Sequence, residues 1–533
     1  QSCGDHGTHV ARVHLCDTPR GSDFNLTGNA NESGVVFNNN NRGVFDVEQL
    51  LTTSHNDGAR IHNNSWGFDG QTNYHSSSRD IDAFTRDHEE DMVTVAVANS
   101  GAIAQVPENA KNCLAVSSTS DAPNQESQCF GTKGPTIDGR RKPEVLAPGC
   151  NSLAADINQP QCGINNRAGT SFAAPAVAAL GVLARQYFIE GYYPSGAPTP
   201  VDSFVPSGAL LRALLINSAV DMTGIAGYPN DFEGWGRTVA DDAFFFASDA
   251  RKLVVEDVWN ASGLGPGDDP RTHQFEVLAA SEPLKITLVW TDVPGVEGVS
   301  FTPTNNLDLE VTLPDQSTYL GNVFAAGESA TGGTADPVNN VEQVHLSNPP
   351  SGVYTITVRA TAIPVDTQGY ALVVTGSVTA VTFSCESAMA GDTNNDGFVN
   401  FGDIADFSNA MKEFNGVFDT IAKCASDIGS ACDACEPDGL IDANDLPGFV
   451  SLLVFGACQT IVKGDLDLDG TPDGQDIPKF LDHVFFFDGT IDTISECAAD
   501  IGSPGFPCAP DGVLDENDVP GFTSILLDTD CQP

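Results

Sequence analysis

Residues 92–98 read Met-Val-Thr-Val-Ala-Val-Ala, seven residues without a charge and rich in β-branched side chains. A strand with one wet face alternates apolar and polar residues. An unbroken apolar run is the pattern of a strand covered on both faces. Covering both faces takes helices above and below, which commits the surrounding sequence to parallel strands alternating with helices. The small and apolar stretch Ser171–Phe188 supplies such a helix. Residues 1–250 therefore read as an α/β domain built on a parallel sheet.

After residue 250 the pattern changes. The runs LKITLVW, LDLEVTL, GVYTITVRA and YALVVTG are short and separated by Pro, Gly and Asn turns, which predicts an all-β sandwich or jelly roll over 251–378. Residues 379–390 read as a linker. The remainder is a duplication with a period of 73 residues: GDTNNDG at 391 returns as GDLDLDG at 464, and FDTIAKCASDIGS at 418 as IDTISECAADIGS at 491. Cys385, Cys458 and Cys531 keep the same spacing. The two copies occupy 391–460 and 461–533 and predict small α-helical repeats. The fold class is thus multidomain, in three or four domains.

The net charge is −48, and residues 391–533 carry 28 acidic against 4 basic side chains. A nucleic-acid partner is excluded, since its footprint is a basic patch. The 14 cysteines fall in even blocks of six and eight, the usage of disulfides in an oxidising, extracellular compartment. The longest apolar run, Phe172–Ala184, is broken by Arg185 and falls short of the ~18–20 residues that span a bilayer. No membrane span is expected, and the chain is expected to be a monomer.

Four segments carry candidate chemistry: Asp5-His6-Gly7-Thr8-His9-Val10-Ala11, Asn63-Asn64-Ser65-Trp66-Gly67, Ala98-Asn99-Ser100-Gly101 and Gly169-Thr170-Ser171-Phe172-Ala173-Ala174-Pro175. A serine hydroxyl is a poor nucleophile until a base within hydrogen-bond reach takes its proton. Ser171 opens a helix, where free backbone N–H groups face a developing oxyanion. Asn99, at the end of a core strand, is placed to add a side-chain donor. His9 reads as a satisfied helix histidine, Asp5 as a helix cap, and Asn63 and Asn64 as structural polar groups.

These segments resemble the subtilase family of serine peptidases. HGTHVA matches its histidine block, AVANSG its oxyanion asparagine and GTSFAAP its nucleophile. ARIHNNSWG resembles its substrate-binding strand, and RRKPEVLAPG, ALLRALLINSA and EGWGRT resemble further family stretches. The likeness runs over residues 1 to about 245. It continues through 251–378 with LKITLVWTD, NNLDLEV and VNNVEQV, as in a subgroup with a C-terminal β-jelly roll. The resemblance implies a secreted serine endopeptidase acting on polypeptide substrates. His6 would be the base, Ser171 the nucleophile and Asn99 the oxyanion donor, with Ser65, Trp66 and Gly67 lining the substrate groove. The family's chain order is Asp, His, Ser. Only five residues precede His6, so the resemblance implies an orienting Asp upstream of Gln1. The alternative is a catalytically inactive subtilase-like chain serving as a calcium-dependent binding protein.

The tail places oxygen ligands at the spacing of a calcium loop: Asp392, Asn394, Asp396, the Phe398 carbonyl, Asn400 and Asp403, and in the second copy Asp465, Asp467, Asp469, the Thr471 carbonyl, Asp473 and Asp476. The cofactor expected is Ca2+. An Asp at the twelfth position resembles dockerin loops and implies a cohesin-like or cell-surface partner. In the β-region, Asn306, Asp308, Asn340 and Glu342 read as strand-edge hydrogen bonding rather than a further calcium site.

Overall fold

The computed structural model describes residues 5–15, 30, 33–36, 46–101, 103–155 and 164–380, and in the tail 390–393, 398–413, 477–480 and a few single positions between 423 and 452. The chain divides into two compact units, Gln1–Ala380 and Val381–Pro533.

In the first unit, four parallel strands lie in sequence order: β1 (Ile61–Asn64), β2 (Met92–Ala96), β3 (Leu114–Thr119) and β4 (Val145–Pro148). Every residue of β2 and β3 is buried, as the apolar run requires. Alternate residues serve opposite faces. Val93, Val95 and Ala115 face α2 (Val47–Asn56) and α3 (Ser76–Asp87), meeting Leu51, Ile81 and Phe84. Met92, Ala96, Leu114 and Val116 face α4 (Thr170–Ile189) and α5 (Gly208–Asn217). Helix α4 rides close on the sheet: a Cβ at Gly181 would stand 2.2 Å from the Met92 methyl. An additional helix, α1 (Asp5–Leu15), lies against the same part of the unit as a hairpin of β5 (Ser152–Ala155) and β6 (Ile164–Arg167).

Helix α4 covers the stretch expected at Ser171–Phe188 with one more residue at each end, 20 residues in all, and an 18-residue window of it has a mean hydropathy of 1.4. Length and composition alone would let it cross a membrane. Its contacts with β1–β4 and α5 instead make it a core helix.

Residues 252–380 form two antiparallel sheets. One is ordered β12 (Glu328–Thr331), β11 (Thr318–Ala325), β10 (Asn306–Thr312), β14 (Gly352–Ala362), β8 (Arg271–Val277), β16 (Val378–Ala380). The other is ordered β13 (Val341–Leu346), β9 (Leu284–Val289), β15 (Tyr370–Gly376), β7 (Lys252–Val258). One apolar core joins them, with Leu288 and Leu372 from the smaller sheet meeting Leu309, Tyr354 and Ile356 from the larger. The opposite face of the smaller sheet, through Val289, Ala371 and Val373, joins the core of α4 and α5. That explains why YALVVTG does not alternate: β15 is buried on both faces throughout. All ten residues of α5 are buried, because this helix is enclosed between the parallel sheet and the smaller antiparallel sheet. The expected boundary near residue 250 is therefore a change of strand pattern, with no gap in the core.

Polar contacts lock the same junction. Lys111 Nζ reaches Asp292 Oδ2 at 2.7 Å and the Thr302 carbonyl at 3.1 Å, with both charged side chains 1% exposed. Asp292 also accepts from the amides of Thr304 and Asn305. Asn217, ending α5, donates to Thr287 Oγ1 at 3.0 Å and accepts from Thr375 Oγ1 at 2.7 Å. Among the β-region polar residues, Asn306 donates to Asp308, Asn340 donates to the Trp290 carbonyl, and Glu342 of β13 accepts from the Leu309 amide of β10 in the other sheet.

The even cysteine counts predict pairing throughout, and one described residue departs from this. Cys129 and Cys150 form a disulfide, whereas Cys113 is a buried free thiol. It lies among Val93, Ala110 and Ala115, where a free cysteine serves as a small apolar side chain, and burial pushes its thiol up to about 12.

In the second unit, a turn at Phe401–Asp403 leads into a helix at Ile404–Glu413. Phe407, Ile428, Phe449 and Leu452 form a small core, with the Phe407 and Phe449 rings stacked at 3.9 Å. These residues all belong to the first 73-residue copy. Apart from 477–480, the second copy lies outside the described residues.

Removing one partner of a buried ion pair strands the other, at a cost of about 3–5 kcal/mol. Lys111→Met is expected to destabilise the first unit by that amount in urea. Residues 5–380 should still unfold in one transition, because the two sheet systems share a core. Separate transitions for the α/β and β regions, or a change below about 1 kcal/mol, would contradict this account.

Candidate active site

In parallel α/β sheets, functional side chains gather beyond the carboxyl ends of the strands. Three segments do so here: Ser65-Trp66-Gly67 follows β1, Asn99 follows β2, and Ser171 lies in the first turn of α4.

The turn into α4 depends on Gly169. Its φ of +150° lies where side chains other than glycine are strained, and a Cβ would sit 3.0 Å from Asn99 Oδ1. This close approach lets Asn99 Oδ1 accept from the Thr170 amide at 3.1 Å. The Thr170 hydroxyl donates to the Val97 carbonyl at 2.5 Å and so ties the helix start to the end of the β2 segment. With its oxygen engaged, the exposed Asn99 amide has its Nδ2 hydrogens left to offer. The Phe172 amide is taken by the Gly169 carbonyl. Among the described residues, the Ser171 N–H has no partner, as the first amides of a helix do.

Pro175 makes a second connection. Proline lacks an N–H, so the Ser171 carbonyl loses its usual partner four residues on. The Ser65 hydroxyl supplies the missing donor at 2.9 Å, and Asn63 Nδ2 donates to the Ser65 oxygen at 3.0 Å. The half-buried Trp66 is held by its Nε1 donating to Asn64 Oδ1 at 3.0 Å. Gly67 is exposed, and a Cβ there would stand 3.0 Å from the Val106 carbonyl.

Helix α1 brings His6 to the same helix end. The exposed His6 ring lies 5.7 Å from the Phe172 ring, centroid to centroid. His9, three residues on and therefore on the same face, lies 4.6 Å from that ring. His9 is fully buried, with Nε2 3.1 Å from the Ser152 carbonyl. Partial burial lowers the His6 pKa, which favours the neutral imidazole a base requires. Among the described residues, no hydrogen bond joins His6 to Ser171, and no carboxylate is bonded to His6. Asp5 is the first residue of α1, and its side chain lies outside the described residues.

One contributor has no signal in the sequence. Glu108, 2% exposed, accepts from the amides of Ala98 (2.5 Å) and Gln105 (2.8 Å). It thereby fixes both ends of the loop that carries Asn99. Burial outweighs these hydrogen bonds and pushes its carboxyl up to about 7. The role of Pro175 was also missed, although a proline four residues after a helical serine signals an orphaned carbonyl.

Of the calcium-loop residues, Asp392 and Asp403 are buried and Phe398 is exposed. Asp403 Oδ2 accepts from the Asn400 amide at 2.8 Å, and Oδ1 lies 3.4 Å from Thr393 Oγ1. Asn400 Oδ1 caps the following turn through the Gly402 amide. Asn394, Asp396, Asp465, Asp467, Asp469, Thr471, Asp473 and Asp476 lie outside the described residues.

Residues 1–236 match the Peptidase S8 model, described as the subtilase family. This span includes His6, Ser65, Asn99 and Ser171. Residues 1–236 are a subtilase-family domain.

Curated relatives of the subtilase domain include the Serine protease/ABC transporter B family proteins tagB and tagD of Dictyostelium discoideum. The tagB protein is 24% identical over 517 residues, covering 70% of this chain and 27% of that protein. The tagD protein is 28% identical over 315 residues, covering 48% of this chain and 17% of that protein. The chain thus spans about a quarter or less of the length of these relatives. Among solved structures, the self-cleaved protease domain of PatA aligns with 45% of this chain and 82% of its own at 24% identity, with a TM-score of 0.34. A score that low carries no further weight.

The raised carboxyl of Glu108 sets a pH dependence on the subtilase domain. A carboxyl titrating near 7 when folded and near 4.5 when unfolded favours the folded state below 4.5, and this contribution disappears as pH rises through 7. A shift of that size corresponds to about 3 kcal/mol. Glu108→Gln is expected to flatten the decline in stability between pH 5 and pH 7.5, measured by urea unfolding. An unchanged slope would show that Glu108 titrates normally.

Proposed function

We propose that the chain carries the catalytic domain of a secreted serine endopeptidase. The observation that carries this reading is the gathering of the Asn99 amide, the unpartnered Ser171 N–H and the His6 ring at the first turn of α4. In the proposed reaction, Ser171 Oγ attacks the peptide carbonyl carbon while His6 takes its proton. The oxyanion is met by the Ser171 N–H and Asn99 Nδ2. His6 then returns the proton to the leaving amine, and water hydrolyses the acyl-enzyme through the same base. Ser65-Trp66-Gly67 pairs with the substrate backbone. The reading requires an orienting carboxylate for His6 from outside the described residues. The loss of one oxyanion donor, as in Asn99→Ala, costs about 10²–10³ in kcat, a magnitude established on a subtilisin.

The test is labelling of the full-length protein by a fluorophosphonate probe. Covalent labelling is expected and should be abolished in Ser171→Ala. Absence of labelling in a folded protein, or labelling that survives Ser171→Ala, would overturn the assignment. The Cys129–Cys150 disulfide supports an oxidising, extracellular location.

For the tail we propose Ca2+ in two loops. Asp392, Asn394, Asp396, the Phe398 carbonyl, Asn400 and Asp403 hold the first, and Asp465, Asp467, Asp469, the Thr471 carbonyl, Asp473 and Asp476 the second. An all-oxygen donor set suits calcium, and this spacing wraps those oxygens round one point. The loops would stabilise a segment that attaches the enzyme to a cohesin-like or cell-surface partner. Chelation with EGTA is expected to lower the melting temperature of the tail and leave the subtilase domain's transition in place. A tail insensitive to chelator would argue against calcium.

A further inference from the structure

The loop that carries Asn99 ends on a side chain that the proposed reaction does not use. Strands β1 and β2 are parallel neighbours, so the segments leaving their carboxyl ends, 65–70 and 98–101, run out side by side. Gln105 crosses between them. Its Oε1 accepts from the Gly70 amide at 2.5 Å, and its Nε2 donates to the Ser100 carbonyl at 3.1 Å. Its own amide is held by Glu108 Oε1 at 2.8 Å, which fixes where the side chain starts. Gln105 is 6% exposed, and its carboxamide closes the inner end of the space between the two segments.

The floor so formed is tight and uncharged. Gly101 has a φ of +139°, and a Cβ there would stand 2.8 Å from Gln105 Nε2 and 3.2 Å from Thr132 Cγ2. The buried Thr132 hydroxyl lies 2.9 Å from the Ala98 carbonyl and 3.2 Å from that of Ser100. Glu108, behind this floor, has both carboxyl oxygens engaged by amides.

In the proposed reaction the substrate backbone pairs with Ser65-Trp66-Gly67 while Asn99 holds the attacked carbonyl. The side chain next to that carbonyl is then directed between the same two segments, toward Gln105. We infer that Gln105 is a specificity-determining residue: it restricts the residue that donates the scissile carbonyl to glycine, alanine or serine. A longer side chain must displace the carboxamide and leave the Gly70 amide and the Ser100 carbonyl without these partners, which is costly for buried groups. A charged side chain would give up its water without compensation. Among the described residues, one Nε2 hydrogen and one Oε1 lone pair of Gln105 are uncommitted, which suits a serine hydroxyl. This inference rests on the peptidase reading and adds the class of peptide bond attacked.

The test uses the full-length protein and a set of quenched fluorescent peptides that differ only at the residue donating the scissile carbonyl: Ala, Ser, Leu, Phe or Lys. Mass spectrometry confirms the bond cut, and fluorophosphonate labelling checks that each protein is active. The wild type is expected to favour Ala and Ser. In Gln105→Ala, kcat/KM for Leu and Phe relative to Ala should rise by about tenfold or more, the scale on which pocket size discriminates. Gln105→Asn, shorter by one methylene, should shift the same ratio in the same direction by less. A residue that only braced the loop would lower kcat for every peptide alike and leave the ratios in place. If the wild type is not labelled, the peptidase reading fails and this inference falls with it. A labelled wild type that cuts after Leu or Phe as readily as after Ala overturns this inference alone. So do ratios unchanged in both variants.

Discussion

A parallel sheet offers two apolar faces and no wet one, and the first unit is organised by the need to cover both. Helices α2 and α3 cover one face and α4 and α5 the other. Helix α5 is buried on all sides in the fold, and beside the parallel sheet alone it would be left half exposed. The smaller antiparallel sheet covers its outer side, and that sheet is covered in turn by the larger one. Each layer is required by the exposed apolar face of the layer before it, ending in the larger sheet, whose edge strand β12 has exposed and half-buried residues.

The same layering delivers the site. Fixing β1, β2 and α4 against one another fixes Ser65, Asn99 and Ser171, since each follows its element within a few residues. Two bonds refine the placement. The Thr170 hydroxyl ties α4 to the Val97 carbonyl, and Ser65 answers the carbonyl that Pro175 leaves open. The candidate nucleophile is thereby referenced to both flanking strands, through its own carbonyl and through the side chain of the residue before it.

Much of this was legible in the sequence, because periodicity reports burial directly. The uncharged run at 92–98 named a strand covered on both faces, and small residues at 171–188 named a helix lying close to it. The places of His6, Asn99 and Ser171 at element boundaries were legible because each lies in a short motif there. Glu108 was not: its carboxylate acts on amides ten residues before it and three residues before it, and no periodic pattern marks such a clamp. The free state of Cys113 was hidden for a related reason. Counting cysteines gives parity, whereas pairing depends on which thiol faces the core. The burial of β15 on both faces depended on α5, an element 150 residues earlier in the chain, which a local reading of YALVVTG does not include.

Helix α5 is common property of two sheet systems, and this has an evolutionary consequence. A module can be gained, lost or exchanged between genes only where a cut leaves both pieces soluble. A breakpoint at residue 250 would expose the outer side of α5 on one fragment and the inner face of β15 on the other, so such recombinants would be purged. The permissible seam lies near residue 380, where the first unit ends. The repeats beyond it are free to be shuffled or multiplied, and the duplication they carry shows that this has happened.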